Sequence, residues 1–392
     1  MKFFSVPADF KISTLDQYEQ LNSFYEDSKV IETYGQVTVG NVWGSGRAGD
    51  LIPKVDLNQL KDYVQYSKSK RIDFNYTLNA TCLSNQEFSL EGIKKLMSFL
   101  QQLYEAGVEQ LTLALPSLIE IVKMSKYNFK IKASTLCQIT NANKAKSFVK
   151  MGIDRIVVDE SINRDFETLK RIKNVINQPI ELIVNVICHK NCIYRSFHQN
   201  QVSHNLNFNE ASVTYYSHRC MMKRVEQVSN IMRLNWIRPE DLHYYSDIGI
   251  NHFKIQGRQA AINGDIFRTV KSYAEESYDG NLMELLDAFA PTNSFAVYVD
   301  NKKLDGFIQP FVKHADFCRS DCAVCGYCES FINKSADYEK IKEINEMAGK
   351  FYKNVDQLKS LVCQVNNENS LDIKKVKDSS GKFNLDEEFQ FN

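Results

Sequence analysis

Four cysteines crowd the stretch "CRSDCAVCGYC", at Cys318, Cys322, Cys325 and Cys328. The spacing C-x3-C-x2-C-x2-C lets four thiolates wrap one metal centre with little loop-closure cost. Spacing alone leaves zinc and an iron–sulfur cluster both open as the occupant. A second group, Cys188, Cys192 and Cys220, begins in "ICHKNCIYRSFHQNQ" (187–201). If 188–192 turns helically, the i, i+4 spacing sets both sulfurs on one face. Three cysteines leave a four-coordinate centre one ligand short. Cys82 and Cys137, each at the end of a predicted strand, are alternative candidates for the fourth ligand. A non-cysteine ligand or an open iron is the remaining alternative.

Ionisable residues surround the second group. His189 and His198 are candidate acid–base groups. Arg195, Arg219 and Arg258 lie beside predicted strand ends or cysteines, where a guanidinium grips a carboxylate or phosphate bidentately. Gly257, in "KIQGR", lets the backbone turn sharply there.

The chain of 392 residues has 48 basic and 48 acidic side chains, so no global field favours nucleic acid or a membrane surface. The basic stretches "SKSKR" (67–71) and "NANKAKSFVK" (141–150) fall on or beside predicted helices, where lysines form a solvated face. Small anionic molecule, peptide and RNA all stay open as substrates. The opening "MKFFSVPADF" lacks the apolar core of a leader, and no run is long enough to span a membrane. The expectation is a cytoplasmic protein with no membrane partner, whose ten cysteines do not form disulfides; the two clustered groups point to metal ligation, while Cys82, Cys137 and Cys363 stand alone.

What must position these residues is an alternation of short β-rich runs and helical patterns. "VIETYGQVTV" (30–39) precedes "LNQLKDYVQYSKSK", and "RIDFNYTLNA" (71–80) precedes "SLEGIKKLMSFLQQLYEAG". "VEQLTLAL", "FKIKASTL" and "DRIVVDE" each lead into a helical run; "IELIVNVI" and "HFKIQG" complete the set. Seven or eight βα units in about 250 residues predict an α/β fold, a TIM-like (β/α)8 barrel, with function at the carboxyl ends of the strands. "NATC" (79–82), "STLC" (134–137), "DES" (159–161), "NVIC" (185–188) and "QGR" (256–258) all fall at such ends. The expected division is a barrel over 1–285, a cysteine-rich extension over 286–363 and a loosely held polar tail over 364–392. "SFAVYVD" and "GFIQPFV" are expected as short strands of the extension.

"NWIRPEDLHYYSDIGINHFKIQGR" (235–258) resembles the signature segment of the collagenase-like peptidase family, peptidase U32. "FNYTLNATCLSNQEF" (74–88), "NVICHKNCIYRSFHQ" (185–199) and "CAVCGYC" resemble its iron–sulfur branch. The resemblance runs over about residues 30–330. It implies a TIM-like barrel with a 4Fe–4S cluster, and oxygen-independent hydroxylation of an RNA base or a small precursor. Carried over, Cys188, Cys192 and Cys220 match the branch's cluster ligands, with Cys82 as fourth. Cys318, Cys322, Cys325 and Cys328 match its C-terminal motif, a second site for a cluster or zinc. The family's longer motif, an acidic residue before a glycine-small-Cys run with a second G-x-C, is not matched. The favoured reading is an iron–sulfur enzyme for hydroxylation or sulfur transfer. In that reading Arg195, Arg219 and Arg258 hold an anionic substrate and His189 or His198 moves protons. The alternatives are a peptidase, for which no Ser/His/Asp or H-E-x-x-H arrangement speaks, and a non-catalytic subunit paired with a homologue or an electron donor.

Overall fold

The computed structural model describes residues 1–41, 43–47, 49–204, 210–290, 297–354 and 362–367. Eight strands follow one another: β1 (Lys2–Pro7), β2 (Ser28–Gly35), β3 (Asp73–Leu78), β4 (Gln110–Leu113), β5 (Lys130–Ala133), β6 (Arg155–Val157), β7 (Ile180–Ile183) and β8 (His252–Lys254). Each pairs in parallel with the next, and β1 pairs with β8 through Phe3↔His252, Phe4↔Phe253 and Ser5↔Lys254, closing a barrel. The barrel starts earlier than the β-rich runs suggest. "KFFSVP", which drew notice only for not being a leader, is its first strand.

Helices cover the outside: α1 (Ile12–Phe24), α2 (Leu57–Ser69), α3 (Leu90–Glu105), α4 (Pro116–Met124), α5 (Ala142–Lys150) and α6 (Phe166–Lys173), each between consecutive strands. Their starts carry local signals. Asp56 and Gln59 form a reciprocal capping box on α2, and Ser89 caps α3 through the backbone N–H of Gly92. The β7–β8 connection is different, carrying among the described residues three helices, α7 (Arg195–His204), α8 (Glu210–Glu226) and α9 (Leu242–Ser246). Among the described residues no helix is long and apolar enough to cross a membrane.

The strands alternate with period two, and the two faces have opposite chemistry. Phe4, Val30, Phe74, Leu111, Ile131, Ile156, Leu182 and Phe253 face outward and are buried under the helices. Each such side chain stabilises the fold by about 1.5–3 kcal/mol. The inward face is polar and charged. Ser5, Glu32, Asn75, Thr112, Lys132 and Glu181 are all buried there, and their contacts cross the lumen from β2 to β5 and from β1 to β7. Barrels of this kind are commonly filled by branched aliphatic layers. Here a hydrogen-bonded ionic network takes their place, which explains why "KIKA" and "IELI" carry charges inside apolar runs.

The extension packs on the barrel through the segment 235–241. Arg238 is 2% exposed; it donates to Asp241 at 3.0 and 3.1 Å, to the Asn301 carbonyl at 2.8 Å and to Asp305 at 2.9 Å. Trp236 stacks near Phe307, and the Arg164 guanidinium lies 4.1 and 4.8 Å from those two rings. Two expected strands of the extension are corrected. "GFIQPFV" forms turns and the helix Gln309–Lys313, because Pro310 has no N–H for a ladder and fits a first helical turn. In "SFAVYVD" residues 297–299 form no strand and Asp300 makes a lone bridge to Asn281, while 294–296 lie outside the described residues. Of the tail, residues 368–392 also lie outside them.

Candidate active site at the barrel mouth

Cys188, Cys192 and Cys220 all come from the single β7–β8 connection. Cys188 and Cys192 precede α7, Cys220 lies on α8, and the three line one cavity of about 300 Å³. His189, Arg195, His198, Arg224 and Arg47 share its wall. A deeper cavity of about 120 Å³ opens onto the strand ends and is lined by Tyr34, Thr77, Ser134, Lys254, Gln256 and Arg258. Arg47, Cys188, His198, Gln199 and Gln256 line both, so the two spaces adjoin across a shared wall.

The thiols stand among cations. Arg224 Nη2 lies 3.9 Å from Cys220 Sγ while bonding the Ile187 carbonyl at 2.6 Å. Burial pushes the Cys188 thiol up to about 12, with Glu160 and Cys220 adding to the rise and Arg195 and Arg47 opposing it. Burial and Arg224 press His189 down to about 4; its Nε2 is buried without a hydrogen-bond partner among the described residues. Burial and Arg47 press His198 to about 4 as well, so both rings are neutral at pH 7. Neither can begin as an acid, and each can accept a proton.

The arginines separate into two kinds. Arg195 is tied down: Nη1 reaches both oxygens of Asp159 at 2.7 Å and Nη2 reaches Glu160 at 2.6 Å. Arg219, on α8, lies over the Tyr215 ring at 5.3 Å. Arg258 is buried, and its Nη1 donates to Gln36, to Ser45 at 3.2 Å and to Thr77 at 2.8 Å, all neutral oxygens. Burial and Arg47 lower Arg258 to about 10. Among the described residues no carboxylate forms an ion pair with buried Arg258 or with half-buried Arg47, which leaves two neighbouring cations open to an anion.

Cys82 and Cys137 stand apart from this cavity. Cys82 is not among its lining residues; its neighbour Thr81 bonds Asn200 and Ser203 of α7. Cys137 is buried against the carbonyls of Leu113 and Ala114, and burial pushes its thiol up to about 12.

The four C-terminal cysteines line a separate cavity of about 250 Å³. Cys322 and Cys325 share a short helix, Gly326 reverses the backbone at φ +60°, and Cys328 opens the helix Tyr327–Ser335. Between the two groups runs a cavity of about 270 Å³ lined by His189, Lys190, Arg164, Cys318, Cys322 and Cys328, with Lys190 Nζ 3.9 Å from Cys318 Sγ. Among the described residues no three His, Cys, Asp or Glu side chains converge tightly enough to grip a single metal ion. A cubane cluster takes its cysteines on separate corners, more widely spread than ligands on one ion. Three thiols on one cavity are a donor set that suits zinc and an iron–sulfur cluster alike.

Sequence reasoning passed over Arg47, Tyr34 and Lys254. Lys254 ends β8 four residues before Arg258, and its Nζ stands 3.5 Å from the Tyr34 ring centre and 3.9 Å from Glu181 Oε1. The signal lay in "HFKIQGR", where a lysine between two apolar residues must face the lumen.

Comparison with known proteins gives consistent matches. The sequence pattern of peptidase family U32 matches residues 45–284. An uncharacterized protease of Methanocaldococcus jannaschii is 31% identical over 293 residues, 74% of this chain and 85% of that protein. A solved U32 peptidase aligns at TM-score 0.47 and 18% identity, covering 65% of this chain and 92% of its own. D-psicose 3-epimerase from Clostridium cellulolyticum H10 aligns at TM-score 0.33 and 10% identity, over 91% of this chain and 99% of that one.

Proposed function

This chain belongs to peptidase family U32, and from that premise we propose that it is an iron–sulfur-dependent enzyme of the oxygen-independent hydroxylation kind, acting on a small anionic molecule. The observation that carries the reading is a juxtaposition: three thiols and two guanidiniums without an ion-pair partner among the described residues line two adjoining cavities at the carboxyl end of the barrel. Cys188, Cys192 and Cys220 would hold the cluster at the mouth, and Cys318, Cys322, Cys325 and Cys328 a second one. When bound, a cluster supplies iron that takes up electrons or a substrate oxygen.

The chain's own residues define the rest. Arg258 and Arg47 draw a carboxylate or phosphate into the deeper cavity, where low dielectric strengthens the attraction. Arg195, fixed by Asp159 and Glu160, anchors the start of α7 and so holds His198 over the opening. Neutral His198 is placed to accept a proton at the boundary of the two cavities. The modest volumes favour a small molecule over a polymer.

Peptide hydrolysis, the activity named by the family, has no support in the arrangement. Among the described residues of the cavity, His189 turns to the backbone at Cys220 and His198 to the Tyr216 ring, without a serine–histidine–acid relay. The test is anaerobic incubation of the full chain, with water as oxygen source and an added chemical electron acceptor to take the two electrons released, with separate pools of small anionic metabolites, peptides and RNA, read by mass spectrometry. The expected result is a gain of one oxygen atom in the anionic pool, lost in Cys188→Ala and in Arg258→Gln. Peptide cleavage that survives Cys188→Ala, Cys192→Ala and Cys220→Ala together would overturn it.

A further inference from the structure

The lumen network is not charge-balanced. Two carboxylates, Glu32 and Glu181, face three cations, Lys132, Arg155 and Lys254. Lys132 takes both carboxylates, meeting Glu32 and lying 2.8 Å from Glu181; Arg155 lies 3.2 Å from Glu181 and 3.4 Å from Glu32. Lys254 has only the longest contact, 3.9 Å to Glu181. Of the three cations it alone lines the deep cavity. Arg155, partly exposed and also facing Asp73, is compensated from outside the lumen, so the surplus positive charge falls on the one amine that faces substrate space, and shedding a proton from that amine relieves it.

Every group packed against Lys254 bears on that proton. Burial, Lys132 and Arg258 drive it off; Glu181 and Glu32 hold it. The Tyr34 ring, fixed by its hydroxyl donating to the Ile255 carbonyl at 2.7 Å, also favours the ammonium. The balance brings Lys254 down from 10.5 to about 7. An amine desolvated beside other cations is the environment in which lysine becomes a nucleophile.

We propose that Lys254 is an amine nucleophile that captures the carbonyl of a small oxo acid as an imine, with Arg258 and Arg47 gripping the acid group. The nitrogen lone pair forms the bond to the carbonyl carbon, and the π pair moves to oxygen, which takes a proton to give a carbinolamine. The carbinolamine then expels its oxygen as water, the nitrogen giving up its remaining protons in the process. Carbonyl plus amine become imine plus water, with nothing oxidised or reduced. The inference rests on the proposed anion site for the substrate's charge and is independent of any cluster. It narrows the substrate class to anions with an adjacent aldehyde or ketone.

The test treats the full chain with pyruvate as probe and sodium cyanoborohydride as the reductant that traps imines, then maps adducts by peptide mass spectrometry. At pH 7 Lys254 carries roughly a thousand-fold more neutral amine than an ordinary lysine, so one saturable adduct is expected at Lys254. Its rate should reach half its plateau near pH 7, whereas surface lysines keep rising towards pH 10. Lys254→Arg, which keeps the charge, should abolish that adduct while the melting temperature shows the fold intact. Adducts spread over exposed lysines in the wild type, or a specific adduct that survives Lys254→Arg, would overturn the assignment. Arg258→Gln separates the two readings. Weaker pyruvate dependence at Lys254 supports both, while unchanged dependence leaves the nucleophile standing and removes the arginine from anion binding.

Discussion

Substituting Glu181→Gln probes the lumen network with little change in volume. The carboxylate, wholly buried, meets Lys132 at 2.8 and 3.1 Å, Ser5 at 3.0 Å, Arg155 at 3.2 Å and Lys254 at 3.9 Å. At an effective dielectric of about 20, each of the three charge pairs amounts to roughly 4–6 kcal/mol. Much of that is cancelled by the desolvation of the carboxylate and by its repulsion from Glu32. Losing one partner of a buried ionic cluster costs about 3–5 kcal/mol, because the remaining charges are stranded. The variant leaves Glu32 alone against three cations and points an amide N–H₂ at donors. We expect a urea midpoint shift equal to about 3–5 kcal/mol at unchanged slope, and a Tm lower by on the order of 10 °C. The loss should be smaller at pH 8 than at pH 6, since a neutral Lys254 leaves one fewer stranded cation. Adding Lys132→Met should restore part of the loss, because the second substitution removes a stranded charge. A cost below about 1 kcal/mol, or strict additivity with Lys132→Met, refutes the claim that a coupled ionic network holds the lumen.

Further expectations concern single groups. Lys254 is lowered in the folded state to about 7, so the folded protein binds fewer protons than the unfolded chain between pH 7 and about 10.5. Wild-type stability should therefore rise across that window relative to Lys254→Met, by up to about 1.4 kcal/mol per pH unit. Identical slopes in urea titrations of the two proteins would contradict it. Although burial raises it, Glu181 is held well below the usual carboxylate range by Lys132, Lys254 and Arg155; its stabilisation is full above about pH 4.5 and declines below, which acid-denaturation curves of wild type and Glu181→Gln should show by converging. Pyruvate should raise the melting temperature of the wild type, and Arg258→Gln should weaken that binding roughly a hundred-fold, two charge-assisted bonds at about 1.5 kcal/mol or more each being lost. Arg238→Met should strand Asp241 at a cost of about 3–5 kcal/mol and make the extension the first segment released in limited proteolysis.

Much of this architecture was readable from the chain. Seven quoted β-rich runs coincide with β2 to β8, since period two and the turn residues are local signals. β1 was not recognised because a six-residue strand at the chain start has no preceding helix to set a rhythm. The cysteine groups were visible as spacing, and the structure brings each group to its own cavity. Partnership was not readable. Arg195 and Arg258 look alike in sequence, yet Asp159 and Glu160 reach the first from the end of β6, whereas the second meets only neutral oxygens. Lys254 needed the closed barrel to acquire meaning, because its surroundings come from β2, β5 and β7. Arg238 stands inside the family's signature segment, but its contacts bind the extension rather than the mouth.

The central claim is that the two cysteine groups hold two clusters, one of them at the catalytic mouth. Anaerobic purification with iron, sulfide and zinc analysis and EPR tests it most directly, on the wild type, Cys188→Ala/Cys192→Ala and Cys325→Ala/Cys328→Ala. The account predicts about eight irons with matching sulfide, each double variant losing about half and a different EPR signal. Zinc in place of iron at the mouth, or a wild type without metal under these conditions, would contradict it.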